Sequence, residues 1–291
     1  MRFAALLLLI TISACDTVDH PTWHGRLYFV TGNYLGEFDL RDGTSEAVEN
    51  FGDVTIDHIS AYEDDDFLMT MRVYYNGRET SRIMRYDLRK NEMLTLIPGL
   101  MAEHMSAENA IIYDDGSNLF AAHRAKAYRD ELLIDFHGFN SQPSVVVLSD
   151  NEILFSGTRD GEALIQHYDV GSNKTTPMEL LSATCVLSNA VWIRSTDQLL
   201  CKLANDSTQS LTYVLSSLDG VVGETLSLPA DKSLFALVHI PDQDLVVFTE
   251  RSNLWGGGQP TNPVWVYDLQ ANKIYRISSD QYLGSSVVYR P

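Results

Sequence analysis

Positive charge is scarce in this chain: 21 Lys and Arg stand against 39 Asp and Glu, a formal net charge of −18. Binding to a phosphate backbone needs cations, so nucleic acid is excluded as a partner. The same deficit argues against lying flat on anionic lipid. Long hydrophobic runs are absent as well. The apolar stretch from Ala4 to Ile12 falls far short of the ~20 residues that span a bilayer. No long segment carries helical periodicity. Catalytic and metal signatures are also missing: no Gly-x-Ser-x-Gly elbow, no His-Glu-x-x-His, no Cys-x-x-Cys and no calcium loop with its sixth-position Gly. The chain reads as non-catalytic, and no cofactor is expected.

What is present begins at the N-terminus. Arg2, the short apolar run and the sequence Ile12-Ser13-Ala14-Cys15 have the grammar of an export signal. Small residues before a cut let a peptidase approach the backbone. The segment resembles the lipobox of bacterial lipoproteins. That resemblance implies a signal peptide over 1–14, lipid on Cys15 and a tether over 15–24. The chain would then be held to a membrane in the cell envelope, facing the periplasm. In enteric lipoproteins an Asp after the lipidated Cys favours the inner membrane, and Asp16 occupies that place. The alternative is an ordinary secretory signal in which Cys15 is incidental. Two cysteines remain, Cys185 and Cys201. In an exported protein they are candidates for a disulfide.

Short apolar runs alternate with turns rich in Asp, Gly, Asn and Ser, the pattern of an all-β fold. One strand ending recurs: Phe38-Asp39-Leu40, Tyr86-Asp87-Leu88, Ile134-Asp135-Phe136, Tyr168-Asp169-Val170 and Tyr267-Asp268-Leu269, with Ser216-Ser217-Leu218 filling the remaining register. A second apolar strand precedes each, at Leu27–Val30, Phe67–Thr70, Leu119–Ala122, Ile153–Ser156, Leu199–Lys202 and Leu245–Phe248. The period of about 48 residues suits the four strands of one propeller blade. Residues 25–291 therefore read as a six-bladed β-propeller. Its first blade lacks an inner strand, and the tail Ser285–Tyr289 supplies it, closing the ring. The shorter step from Asp135 to Asp169 predicts a reduced outer strand after Phe136 in blade three.

Blade four runs Ser149-Asp150-Asn151-Glu152-Ile153-Leu154-Phe155-Ser156-Gly157-Thr158-Arg159-Asp160-Gly161 and on to Tyr168-Asp169-Val170. It resembles the repeat of TolB-like propellers, which has a Ser-Pro-Asp-Gly turn, a strand ending near Ser-x-Arg, an Asp-Gly turn and a strand ending in Asp-Leu. Blade six keeps Pro241-Asp242, and blade five matches poorly. The resemblance implies the fold more than an activity, since propellers host many functions.

Sorting loops by the expected blade order gives two faces. The turns between strands one and two are acidic: Glu63–Asp66, Asp114-Asp115, Asp150 with Glu152, Asp197, and Asp242 with Asp244. The hairpins between strands two and three are basic and aromatic. They carry Arg72, Tyr74 and Tyr75, then Arg124 and Tyr128, then Arg159, then Arg251, with Trp255 in the glycine-rich loop Asn253–Pro260. These eight are the candidate partner-binding residues, because Tyr, Trp and Arg anchor protein interfaces and Arg grips carboxylates. The four Arg residues recur with the repeat, so each is also a candidate for an ion pair within its own blade. His58, His104 and His239 fall near inner-strand starts. They are metal candidates only if their imidazoles converge in the central channel. The expected role is a protein-binding scaffold for an envelope partner. The alternative is an enzyme, or a glycan or small-molecule binder, using the channel.

Overall fold

The structure is a computed structural model. It describes residues 22–63, 65–75, 77–105, 110–115, 118–123, 129–135, 144–159, 162–204, 212–226, 233–251, 263–278, 283–284 and 286–291. Among these, the strands form six four-stranded antiparallel sheets, and the sheets are the blades of a six-bladed propeller.

Blade one holds β1 (Arg26–Thr31), β2 (Tyr34–Asp39) and β3 (Thr44–Asn50). Blade two holds β4 (Thr55–Ala61), β5 (Asp66–Tyr75), β6 (Arg78–Asp87) and β7 (Glu92–Pro98). Blade three holds β8 (Met101–Met105), β9 (Ala110–Asp114), β10 (Asn118–His123) and β11 (Arg129–Asp135). Blade four holds β12 (Ser144–Val147), β13 (Glu152–Arg159), β14 (Glu162–Asp169) and β15 (Lys174–Pro177). A single turn of helix, α1 (Glu179–Thr184), leads into blade five. That blade holds β16 (Cys185–Ile193), β17 (Gln198–Leu203), β18 (Tyr213–Ser216) and β19 (Val222–Leu226). Blade six holds β20 (Ser233–Ile240), β21 (Leu245–Arg251), β22 (Val264–Asp268) and β23 (Lys273–Ser278). The tail strand β24 (Ser286–Arg290) is the inner strand of blade one.

Ring closure is therefore as the sequence predicts. β24 pairs antiparallel with β1, setting Tyr289 against Leu27 and Val287 against Phe29. Gly284 leads into this strand at φ +57, and a Cβ there would sit 1.7 Å from the Val30 carbonyl oxygen. Only glycine tolerates both that angle and that approach. Closure covers the edge of β1 that stray pairing would otherwise use.

The core explains why second strands are continuous apolar runs rather than alternating ones. Side chains of a strand point alternately to its two faces, and each face of a blade packs on a neighbouring blade. Leu27 and Phe29 join the core between blades six and one. Tyr28 and Val30 join the core between blades one and two. Phe67 and Met69 likewise face blade one, while Leu68 faces blade three. The same sorting sends Leu199 and Cys201 to the seam with blade four and Leu200 to the seam with blade six.

The recurring Tyr-Asp ending also has a local cause. The Asp carboxylate accepts a main-chain N–H three residues on: Asp87 from Lys90, Asp169 from Ser172 and Asp268 from Ala271. The Tyr hydroxyl donates to an Asn five residues on: Tyr86 to Asn91, Tyr168 to Asn173 and Tyr267 to Asn272. Each Asn sits at positive φ, a conformation Asn tolerates better than most residues. Tyr-Asp-x-x-x-Asn is thus a third-to-fourth-strand turn, and these Asp residues are structural.

Blade three corrects two expectations. Leu119–Ala122 lies in β10, the third strand, not the second; the second strand is the fully buried β9. Ile134 and Asp135 end β11, which is itself the outer strand, so no strand is missing. Asp114-Asp115 then belongs to the hairpin between strands two and three. The misreading arose because β9 and β10 are equally short and apolar. In this blade, moreover, the Asp that matched the repeat falls on the fourth strand.

Candidate functional site

Two regions present side chains that contact with other molecules would use: the face of the strand two-to-three hairpins and the central channel.

On the hairpin face, blade two carries the longest strands among the described residues. β5 and β6 are ten residues each and pair from Asp66 with Asp87 out to Tyr75 with Arg78. Gly77 at φ +73 makes their two-residue turn, which suits the twist of the flanking strands. Tyr74 near this tip is 71% exposed. In blade one the hairpin turn is Gly32-Asn33, and Tyr34 beside it is 44% exposed. The Gly32 carbonyl accepts the Ile56 amide at 2.7 Å, which ties the blade-one hairpin to β4, the inner strand of blade two. Tyr34 was not singled out from sequence. The signal was there, an aromatic against a glycine-containing two-residue turn, as at Tyr74-Tyr75-Asn76-Gly77.

Arg72 is not a free cation. Its Nε donates to Asp57 at 2.7 Å and its Nη1 to Glu79 at 3.1 Å. Those carboxylates, Asp57 foremost, hold the guanidinium above its ordinary pKa. Tyr75, Arg159 and Arg251 are described in their main chain alone, at hairpin ends of blades two, four and six. Arg124, Tyr128 and Trp255 lie outside the described residues, as do Cys15 and Asp16. Residues 124 and 128 fall in the link between β10 and β11.

The opposite face is acidic in sequence but largely paired in blade two. Arg85 pairs with Asp66 and, at 3.3 Å, with Glu63. Arg89 pairs with Asp65, and Lys90 with Asp87 at 2.6 Å. On this face the chain enters the ring. Trp23 is buried against Tyr275, and the His24 amide donates to Gln243 at 3.0 Å. The last residues of the expected tether are thus docked on blade six.

The channel is walled by inner strands. One cavity, about 370 Å³, is lined by His58, Ser60, Glu103, Asn189 and Ser286 among apolar residues of β16, β20 and β24. A second, about 430 Å³, shares Glu103 and adds Trp192, Arg194 and His239. The three histidines have different surroundings. His58 Nε2 lies 3.0 Å from Glu103 Oε1, and its Nδ1 lies 3.1 Å from Ser286 Oγ. The His104 ring packs on Tyr62, with centroids 4.6 Å apart. His239 is buried, and burial pushes its pKa below the ordinary value. Among the described residues no three His, Cys, Asp or Glu gather as a metal site. Cys185 and Cys201, in β16 and β17, are joined as a disulfide with Cα atoms 5.6 Å apart.

No family model matches the chain, and no curated protein sequence matches it. Solved structures do match. The chain is similar to TolB from Acinetobacter baumannii, at 10% identity and TM-score 0.66, over 93% of this chain and 68% of that one. It is similar to a TolB-type protein from Agrobacterium tumefaciens, at 11% identity and TM-score 0.63, over 92% and 100%. An oligogalacturonate lyase in complex with manganese aligns at 13% identity and TM-score 0.54, over 89% and 75%. At these identities the likeness establishes the fold: this is a TolB-like six-bladed propeller.

Proposed function

We propose that the protein is a scaffold of the bacterial envelope that binds another envelope protein through its hairpin face, a role that itself requires no catalysis. The observation that carries this reading is the pair of exposed tyrosines, Tyr34 and Tyr74, on the hairpins of adjacent blades one and two. Tyr brings large area at low entropic cost and is enriched at interface hot spots. The ring beneath is rigid, so little ordering is lost on binding. The signal over 1–14 exports the chain, and lipid on Cys15 holds it to a membrane, facing the periplasm, with Asp16 favouring the inner one. Because the chain enters the ring beside Gln243 and Asp242, the tether holds the acidic-turn face toward the membrane and presents the hairpins away from it. The fold shared with two TolB proteins supports an envelope setting.

The test is partner capture in cells with Tyr34→Ala/Tyr74→Ala. About a tenfold loss of affinity, roughly 1.4 kcal/mol, is expected at an unchanged melting temperature. Unaltered capture by the double variant removes the hairpin face from the reading. A second reading, an enzyme or small-molecule binder using the channel, is supported by one observation, the contact of Ser286, His58 and Glu103.

A further inference from the structure

Ser286, His58 and Glu103 come from three inner strands, β24, β4 and β8, and meet at one cavity. A carboxylate only accepts hydrogen bonds, so Glu103 at 3.0 Å fixes the His58 proton on Nε2. His58 Nδ1 is then an acceptor, 3.1 Å from the Ser286 hydroxyl. Acid, imidazole and hydroxyl in that order are the arrangement that activates a serine nucleophile, recognised by geometry rather than by sequence order. The Ser286 hydroxyl also reaches the Ile59 carbonyl at 3.0 Å and accepts the Ile59 amide at 3.1 Å. It therefore also clasps the closing strand to blade two.

The cavity wall carries a second, independent feature. Inner strands β4, β16 and β20 each break register beside it, between Ile56 and His58, Val186 and Val191, and Phe235 and Val238. Asn189 and Ala236, both lining the cavity, hold φ of +57 and +52. Such strain in residues other than glycine costs energy and clusters at functional sites. The breaks take main-chain groups out of the ladders at the wall, where an oxyanion needs amide donors.

We propose that Ser286, His58 and Glu103 form a nucleophilic site that hydrolyses esters of short acyl chains within the channel. The apolar lining from Ala190, Leu237, Val238 and Val287 suits a short acyl group. Ser286 Oγ bonds to the ester carbonyl carbon as its proton passes to His58 Nδ1. The ester C–O bond then breaks, and the departing alkoxide takes that proton. Water attacks the acyl-serine, giving a proton to His58 that returns to Ser286 Oγ as the carboxylic acid leaves. Glu103 orients His58 and offsets its charge throughout. Tyr34 and Tyr74 are not among the residues lining this cavity, so the two sites are tested with different variants.

The experiment treats the folded protein with a fluorophosphonate probe, locates the adduct by peptide mass spectrometry, and follows hydrolysis of p-nitrophenyl acetate. The expected result is an adduct on Ser286, formed at least 100-fold more slowly in His58→Ala and about tenfold more slowly in Glu103→Gln. If His58→Ala loses its fold by circular dichroism, His58→Gln, which keeps a polar side chain but no base, is measured in its place and should be slowed as much. No Ser286 adduct on folded wild type, or an unchanged rate in whichever His58 variant folds, overturns the proposal.

Discussion

The Tyr289 hydroxyl donates a hydrogen bond to the Asp242 carboxylate at 3.0 Å, tying the closing strand of blade one to a turn of blade six. Gln243 bridges the same place, with its Nε2 2.7 Å from the His24 carbonyl and 3.4 Å from the Tyr289 oxygen. The ring is thus fastened where its first and last segments meet.

Tyr289→Phe should lower stability by about 1 kcal/mol, the net worth of one hydrogen bond. Deleting 286–291 should do far more, because it exposes β1 as an edge and removes partners of the adjoining cores. Burial, with Asp242, pushes the Tyr289 pKa up to about 12. The stabilisation is therefore present below the phenol's ordinary pKa of about 10 and is lost as pH rises through 12. Chemical denaturation of wild type and Tyr289→Phe between those values checks this. An identical pH slope for both would contradict it.

His239 has the opposite dependence. Burial favours its neutral form and depresses its folded pKa below the unfolded value of about 6.5. Below that value the unfolded chain binds more protons than the folded one, so stability falls as pH falls from about 6.5 through the folded pKa. His239→Gln should flatten this limb of the stability profile. A profile unchanged by the substitution would assign the acid sensitivity elsewhere.

The Cys185–Cys201 link closes a short loop, with a sequence separation of 16. By chain entropy such a loop adds about 3 kcal/mol. A reductant should lower the melting temperature of wild type and leave Cys185→Ser/Cys201→Ser unaffected. Ready alkylation of both thiols in the folded, unreduced protein would show that the bond is absent.

The proposed lipid attachment rests on Cys15. Cys15→Ser should release the protein from the membrane fraction into the soluble periplasmic fraction, with the propeller still folded. Continued membrane retention of the variant would make Cys15 incidental.

Much of the architecture was legible because two signals coincide in blades one, two, four and six. Second strands are apolar on both faces because both faces meet neighbouring blades, and the Tyr-Asp ending is repeated because Asp and Asn make the turn. Blade three defeated the reading where the second signal moved to its outer strand. The site was less legible. Arg72 resembles a ligand-binding cation until Asp57 and Glu79 are seen beside it. Tyr34 falls outside the repeat, and its place beside a glycine-containing turn gains weight only with its exposure. Ser286 and His58 are 228 residues apart in sequence, and no local pattern announces a contact made by ring closure.

The most direct test of the scaffold reading is site-specific photocrosslinking in living cells, with the crosslinking residue at position 34, at position 74, and at position 197 on the opposite face. The account predicts that positions 34 and 74 capture the same envelope protein and that position 197 does not. Capture of that protein at 197 alone, or of no discrete species at 34 and 74, would contradict it.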